Sequence, residues 1–230
     1  MADPIVHGFQ RSTYVNIVRL VLMHKDVPFQ FHDLESVMGT PEHLALHPFD
    51  RAPILEHDGF RVYETSAIIT YVDEALGGPR LQPTEVRDRA RMMQWISAVG
   101  SYYYYWFVYH LGHERIVFQE LGIEPDEKIV AVALPHAAHA LDVLETELGE
   151  RDSFLVGAEL SLADFAMLPM LTSLSQHKDG QDLLATRPRI KQWRERMEDL
   201  PSVKRFRASL PPREPIWHAR KWAESHRPKY

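Results

Sequence analysis

Several groups of side chains in this sequence stand where chemistry could be done. Ser12 and Thr13 follow Phe9-Gln10-Arg11 where a short apolar run gives way to a helical pattern. A hydroxyl there meets free backbone N–H groups and the positive end of a helix dipole, a setting that stabilises an anion. Glu64-Thr65-Ser66 opens a second helical pattern and offers the same setting. Arg51 lies in a loop bracketed by Pro48 and Pro53 and is a cation suited to a carboxylate. Residues 102–109 read Tyr-Tyr-Tyr-Tyr-Trp-Phe-Val-Tyr, the material of an apolar cleft. The chain has no cysteine. That excludes disulfides, thiolate metal sites and a cysteine nucleophile, so any thiol chemistry must use a borrowed sulfur. Each group also has a plainer use: Ser12, Thr65 or Ser66 as a helix N-cap, Arg51 as a solvated loop residue, any one tyrosine as core packing.

The elements that must position these groups follow from periodicity. Residues 5–9 predict a strand, and residues 14–24, with Val15, Val18, Leu22 and Met23 apolar, predict an amphipathic helix that Val27-Pro28 closes. Phe29, Phe31 and Leu34 alternate with polar neighbours as a second strand, giving a β-α-β opening with a right-handed crossover. A short helical turn is expected at residues 41–46. Ile54-Leu55-Glu56 and Phe60-Arg61-Val62-Tyr63 flank His57-Asp58-Gly59, a β-hairpin with Asp-Gly turn chemistry. Residues 65–76 then predict a helix with Ile68, Ile69, Val72 and Leu76 on one face. Residues 77–83 concentrate helix breakers and read as a linker. Beyond them only helices are expected: a long one over residues 85–113, others over 126–148 and 162–174, and shorter ones over 189–199 and 202–208. Ser161 and Asp164 have the spacing of a capping box for the helix over 162–174.

Composition bounds the function class. The chain has 230 residues, 45% hydrophobic and 25% charged, a globular average that can build a core. A formal charge of -6 argues against a nucleic-acid surface. Arg213, Arg220, Lys221, Arg227 and Lys229 make a cationic tail, but Glu214 and Glu224 interrupt it and it reads as a solvated face. No basic leader precedes an apolar run, and no stretch approaches the ~18 apolar residues of a membrane span. A cytoplasmic location is therefore expected, with no membrane or nucleic-acid partner.

The order Pro41-Glu42-His43-Leu44-Ala45-Leu46-His47-Pro48-Phe49, Ala52-Pro53-Ile54-Leu55, Asp58-Gly59 and Tyr63-Glu64-Thr65-Ser66-Ala67-Ile68 resembles the N-terminal half of glutathione transferases, particularly the serine-using, phi-like classes. Gly157-Ala158-Glu159-Leu160-Ser161-Leu162-Ala163-Asp164-Phe165 resembles the helix-capping motif of the same family's helical half, so the likeness covers roughly residues 5–207. It implies an α/β thioredoxin-like N-terminal domain over residues 1–78, an all-α domain over 84–210, and a C-terminal tail over 211–230. It implies glutathione as co-substrate, a homodimer, and Ser12 as the catalytic hydroxyl that favours thiolate over thiol. Alignment through Gly8 and Val18-Arg19 places Ser12, rather than Thr13 or Tyr14, at the family's serine. Glutathione would be held by Glu64 and Thr65 at its γ-glutamyl end, by the backbone of Ala52 before a cis-Pro53, and by Arg51 at a carboxylate. The family often carries a His-Lys pair for the glycyl end where Met38 and Gly39 stand here. His43 is a weak substitute, expected on a helical surface.

For the electrophile, helical spacing puts Tyr102, Tyr105, Trp106 and Tyr109 on one face and Tyr103, Phe107 and His110 on another. A helix aromatic all round must present rings outside its own bundle. Tyr105 and Tyr109, with Tyr14 from the first domain, are the expected acceptor-site residues; subunit contact is the rival use of the same rings. The expected function is transfer of ionised glutathione sulfur to a hydrophobic electrophile. The alternative is a non-catalytic glutathione- or ligand-binding regulator of the same fold.

Overall fold

The computed structural model describes residues 2–150, 153–212 and 227. Strand β1, Ile5–Gly8, runs parallel to β2, Gln30–Asp33, with α1, Thr13–His24, as the crossover. Helix α2, Pro41–Leu46, leads to β3, Ile54–His57, which pairs antiparallel with β1 and with β4, Phe60–Tyr63. The sheet order is β2-β1-β3-β4. In the hairpin turn both Asp58 and Gly59 take positive φ, 47° and 80°, which the Asp-Gly pair tolerates. Helix α3, Thr65–Ala75, closes this α/β unit. At its inner face Val6, Val15, Val18, Leu22, Leu55, Ile68, Ile69 and Val72 are buried.

The passage to the helical half is fixed by a buried ion pair. Lys25 Nζ lies 3.1 Å from Asp73 Oδ1 and donates to the Pro79 carbonyl at 2.8 Å, while Asp73 accepts the backbone N–H groups of Leu81 and Gln82. Gly78 takes φ +93°, and a Cβ there would meet the Lys25 carbonyl oxygen at 2.2 Å, so the linker closes only with glycine.

The helical half begins with α4, Val86–Ala98. The single long α-helix expected over residues 85–113 is not what forms: from Val99 to Val117 the chain is a π-helix, followed by the short α5, Phe118–Glu120. Bonds from residue i+5 back to i replace the α pattern, as in the Phe118 N–H to the His113 carbonyl. The wider turn changes which aromatic rings share a face. Helix α6, Glu127–Glu150, packs on the π-helix and on α9. By length and composition α6 is also apolar enough to cross a bilayer, with a mean hydropathy of 1.2 in its most apolar window. Its Ile129, Val130, Ala133, Ala137, Leu141 and Leu144 are nevertheless buried in the core.

Helix α7, Leu162–Leu174, runs through the centre, against α1, α4 and the π-helix. The capping box at its start is present. The fully buried Asp164 carboxylate accepts the Ser161 and Leu155 N–H groups at 3.0 Å each, the Ser161 hydroxyl at 2.8 Å and the Trp193 indole N–H at 2.9 Å. Helix α8, Lys178–Ala185, has no counterpart in the sequence expectations; α9, Pro188–Asp199, and α10, Pro201–Ser209, do. Of the cationic tail, Arg213, Arg220, Lys221 and Lys229 lie outside the described residues. Arg227 is not a solvated charge: its guanidinium bonds both oxygens of the buried Glu114 carboxylate, at 2.9 and 2.6 Å, and lies over the Phe118 ring.

Candidate functional site

The junction between β1 and α1 is built for a close approach. A Cβ on Gly8 would lie 2.4 Å from a Val15 methyl, so only glycine lets the strand end pack against the first helical turn. Ser12 is the N-cap of α1, and its Oγ accepts the Val15 N–H at 3.3 Å. An oxygen that accepts from the helix keeps its own hydrogen to donate elsewhere. The plain N-cap role and the catalytic role are therefore compatible in one side chain. The loop before Ser12 is pinned from below: Asn16 donates to the Gln10 carbonyl at 3.2 Å, and the buried Arg19 guanidinium donates to Gln10 Oε1 at 2.7 Å. Arg11, next to Ser12, pairs with Glu120 at the far end of the long helical stretch. Glu120 also borders an open hollow of about 410 Å³ lined with Arg115, Ile116, Gln119 and Gln176.

The Ala52-Pro53 bond is cis, as expected from the motif. Pro53 is buried, Ala52 half-buried and Arg51 exposed, its guanidinium donating to the Asp50 carbonyl at 3.1 Å. One expectation fails beside this loop. His43 does not lie on a helical surface: it is fully buried beneath the loop, with Nε2 against the Arg51 carbonyl and Nδ1 close to both Asp50 Oδ1 and the Gly39 nitrogen. Six residues of helix leave too little periodicity for its face to be read.

At the third corner Glu64 takes φ 71°, ψ 118°, a left-handed conformation that a side chain enters only at a cost. Its carbonyl accepts the Ile68 N–H at 2.9 Å and begins α3, while its side chain is exposed and makes no cap bond. Neither Thr65 nor Ser66 is the N-cap. Both stand in the first turn, where N–H groups have no partner within the helix.

The π-helix meets the first domain at Tyr14. The Tyr14 and Tyr104 rings meet at a tilt of 34° with centroids 4.6 Å apart, and the Tyr14 hydroxyl lies beside Gly100. Burial, then the Tyr104 phenol and the Glu64 carboxylate, push the Tyr14 phenol well above the ordinary tyrosine range. Burial also raises Tyr104 and Tyr109, and the Arg51 cation opposes the rise in both. The charges of Glu64 and Arg51 thus reach the aromatic wall from the first domain. Each shift favours the protonated phenol, which can donate a hydrogen bond. Tyr105 is 39% exposed; it packs on Trp106 and His110 at 4.7 and 4.3 Å and stacks on Tyr109 at 5.9 Å. Trp106 in turn stacks on His136 at 4.2 Å. Tyr104, the ring that meets Tyr14, was not singled out by helical spacing. With i+5 bonding, residues 104 and 109 lie above one another, which a 3.6-residue reading separates.

Comparison with known proteins decides the family. The family model of the glutathione S-transferase N-terminal domain matches residues 6–80, and that of the C-terminal domain matches residues 103–201. Glutathione S-transferase 3 of Zea mays is 31% identical over 218 residues, covering 92% of this chain and 96% of its own. The chain belongs to the glutathione S-transferase family. Glutathione S-transferase F10 of Arabidopsis thaliana is 29% identical over 84% of this chain and 92% of its own. Among solved structures, the apo form of glutathione S-transferase III superposes with a TM-score of 0.83 at 28% identity, covering 93% of this chain and all of that one. As a member of the family this transferase has the two-part fold read from its sequence, with glutathione as its co-substrate. Among the described residues no cluster of side chains could hold a metal ion.

Proposed function

We propose that this transferase ionises glutathione beside Ser12 and joins its sulfur to a hydrophobic electrophile lying against Tyr14, Tyr104 and Tyr109. The observation that carries the reading is Ser12 itself, an N-cap whose Oγ accepts from Val15 N–H and whose hydrogen is left to donate to sulfur. The γ-glutamyl carboxylate sits at the open N–H groups of Thr65 and Ser66, with Glu64 orienting its ammonium. The cysteinyl backbone pairs with Ala52, ahead of cis-Pro53, as an added strand would, and Arg51 holds a carboxylate.

The thiol gives its proton to solvent, and the Ser12 hydroxyl and the N-terminus of α1 stabilise the thiolate left behind. A free thiol has a pKa of about 8.5, so a fall of about two units makes thiolate the major form at neutral pH. The sulfur lone pair then forms the S–C bond. In displacement the leaving group departs with its bonding pair; in addition the π pair moves onto the conjugated group and takes up a proton. Protonated phenols on the aromatic wall can donate to charge that develops there.

The protein works as a cytoplasmic homodimer. Phe49, Phe60, Met93 and Tyr102 are 66%, 48%, 42% and 59% exposed and are the large apolar side chains a subunit contact would cover. A monomeric mass by light scattering at micromolar concentration contradicts this assembly.

The non-catalytic reading rests on Met38 and Gly39, which stand where the family often carries a glycyl-end His-Lys pair. Calorimetric titration with glutathione, followed by turnover against a panel of electrophiles, separates the two. Binding with turnover supports the enzyme; binding without turnover supports the regulator; no binding overturns both.

A further inference from the structure

The glutathione loop has a keystone that touches no substrate. His43 is fully buried in the first turn of α2, and its ring contacts reach the chain on either side of that helix, Gly39 before it and Asp50 and Arg51 after it. Nε2 lies 2.9 Å from the Arg51 carbonyl oxygen, which can only accept, so Nε2 carries a hydrogen and donates it. Nδ1 lies 2.9 Å from Asp50 Oδ1 and 3.2 Å from the Gly39 N–H. One imidazole ring therefore meets two backbone groups and a carboxylate: the Gly39 N–H, where φ is +77°, the Arg51 carbonyl that enters the cis Ala52-Pro53 bond, and the side chain of Asp50, where φ is +54°.

Two of those residues take left-handed backbone angles, and Asp50 does so without being glycine, which costs free energy that a neighbour must offset. The only strand that follows directly is β3, beginning at Ile54, so the loop has no ladder of its own to hold it. Gly39, standing where the family often has a lysine for the glycyl end, is here tied to His43 by its own N–H.

We propose that His43 is a positioning residue for glutathione, acting through the Arg51 carbonyl to aim the Arg51 side chain and the Ala52 backbone at the tripeptide. The inference rests on the assignment of the glutathione site to this loop. Through this single donor, α2 sets affinity for the co-substrate without reaching it. Ser12 lies on a separate element, at the start of α1, so the ring governs binding rather than sulfur activation.

The test uses the full chain and measures the glutathione dissociation constant by calorimetry, with kcat and KM for glutathione and for one electrophile. His43→Leu removes both nitrogens; His43→Gln returns a donor toward the Arg51 carbonyl; Asp50→Gly keeps the left-handed angle while removing the carboxylate. His43→Leu is expected to weaken glutathione roughly tenfold in both the dissociation constant and KM. The same variant should keep kcat at saturating glutathione within about twofold, with the electrophile KM unmoved. His43→Gln should recover most of the loss, and Asp50→Gly should raise KM for glutathione about threefold. Should His43→Leu fail to fold, Asp50→Gly decides: a raised glutathione KM and dissociation constant support the proposal, and wild-type values overturn it. The proposal is overturned if Asp50→Gly and His43→Gln both leave glutathione affinity at the wild-type value while His43→Leu does too, or if His43→Leu lowers kcat and both KM responses together with no rescue by glutamine. Failure of the wild-type protein to bind glutathione would instead remove the assignment of the site itself.

Discussion

The two walls proposed for the active cleft are specified by different physics. On the proposed glutathione side, Ser12, Ala52-Pro53 and Glu64-Thr65 sit at the ends of short elements, and their positions follow from backbone facts: an N-cap, a cis bond, a positive φ. On the acceptor side, Tyr104 and Tyr109 sit mid-way along a π-helix, and only packing decides which rings meet the cleft. Backbone-defined sites leave marks in local sequence, because only a few residues tolerate a cap, a turn or a left-handed angle. Packing-defined sites leave a smear of aromatics. The glutathione side should accordingly fail sharply at single positions, and the acceptor side should fail by degrees.

The largest effect is expected beneath both walls. Helix α7 backs both α1 and the π-helix, and Asp164→Ala would orphan four donors around a fully buried carboxylate. We expect a loss of roughly 3 kcal/mol or more in unfolding free energy by denaturant titration. Glutathione affinity and acceptor turnover should then decline together on warming. If one function survives the loss of the other, the walls do not share this support.

Ser12→Ala should come next, lowering kcat about 100-fold in steady-state assays while glutathione still binds, by analogy with removal of one donor to a developing anion. Loss of binding in proportion to turnover would place the serine in recognition instead. At the γ-glutamyl corner, Thr65→Val and Glu64→Ala should each raise the glutathione dissociation constant roughly tenfold in calorimetry. An unchanged constant in both would remove that corner from the site.

The smallest effects belong to the aromatic wall. Tyr104→Leu and Tyr109→Leu should shift the ratio of kcat/KM between a bulky and a small electrophile by roughly tenfold at most. Tyr105→Leu, on a ring that packs on Trp106 and His110 and has no contact with Tyr14 among the ring pairs of the described residues, should shift it less. A larger change at Tyr105 than at Tyr104 would return the cleft to the face that 3.6-residue spacing picks out.

The same division explains what the sequence disclosed. Asp58-Gly59 announced its hairpin because both residues accept positive φ, and Ser161 with Asp164 announced α7 because the capping box is a local pattern. The cis Ala52-Pro53 bond was legible only from the motif around it, since an isolated Ala-Pro is ordinarily trans. Helix α8 was missed: Lys178-Asp179-Gly180 begins like a loop, yet Gly180 is required there because a Cβ would lie 1.8 Å from the Leu174 carbonyl oxygen. The π-helix could not be read from a period, because the reading assumes the α-helical one. His43 was hidden for a third reason, that its partners Gly39, Asp50 and Arg51 are gathered by a loop whose path no periodicity encodes.

The central claim is that the Ser12 hydroxyl, and no neighbouring group, stabilises the glutathione thiolate. The ultraviolet absorbance of bound thiolate, followed against pH in the wild-type protein and in Ser12→Ala, Thr13→Val and Tyr14→Phe, tests it directly. The account predicts an apparent thiol pKa about two units below the free value in the wild type, a return toward about 8.5 in Ser12→Ala with glutathione still bound, and no change in the other two variants. The Tyr14 phenol, held protonated by burial and by Tyr104 and Glu64, should leave the titration where it was. A titration that moves in Tyr14→Phe and stays in place in Ser12→Ala would contradict the account.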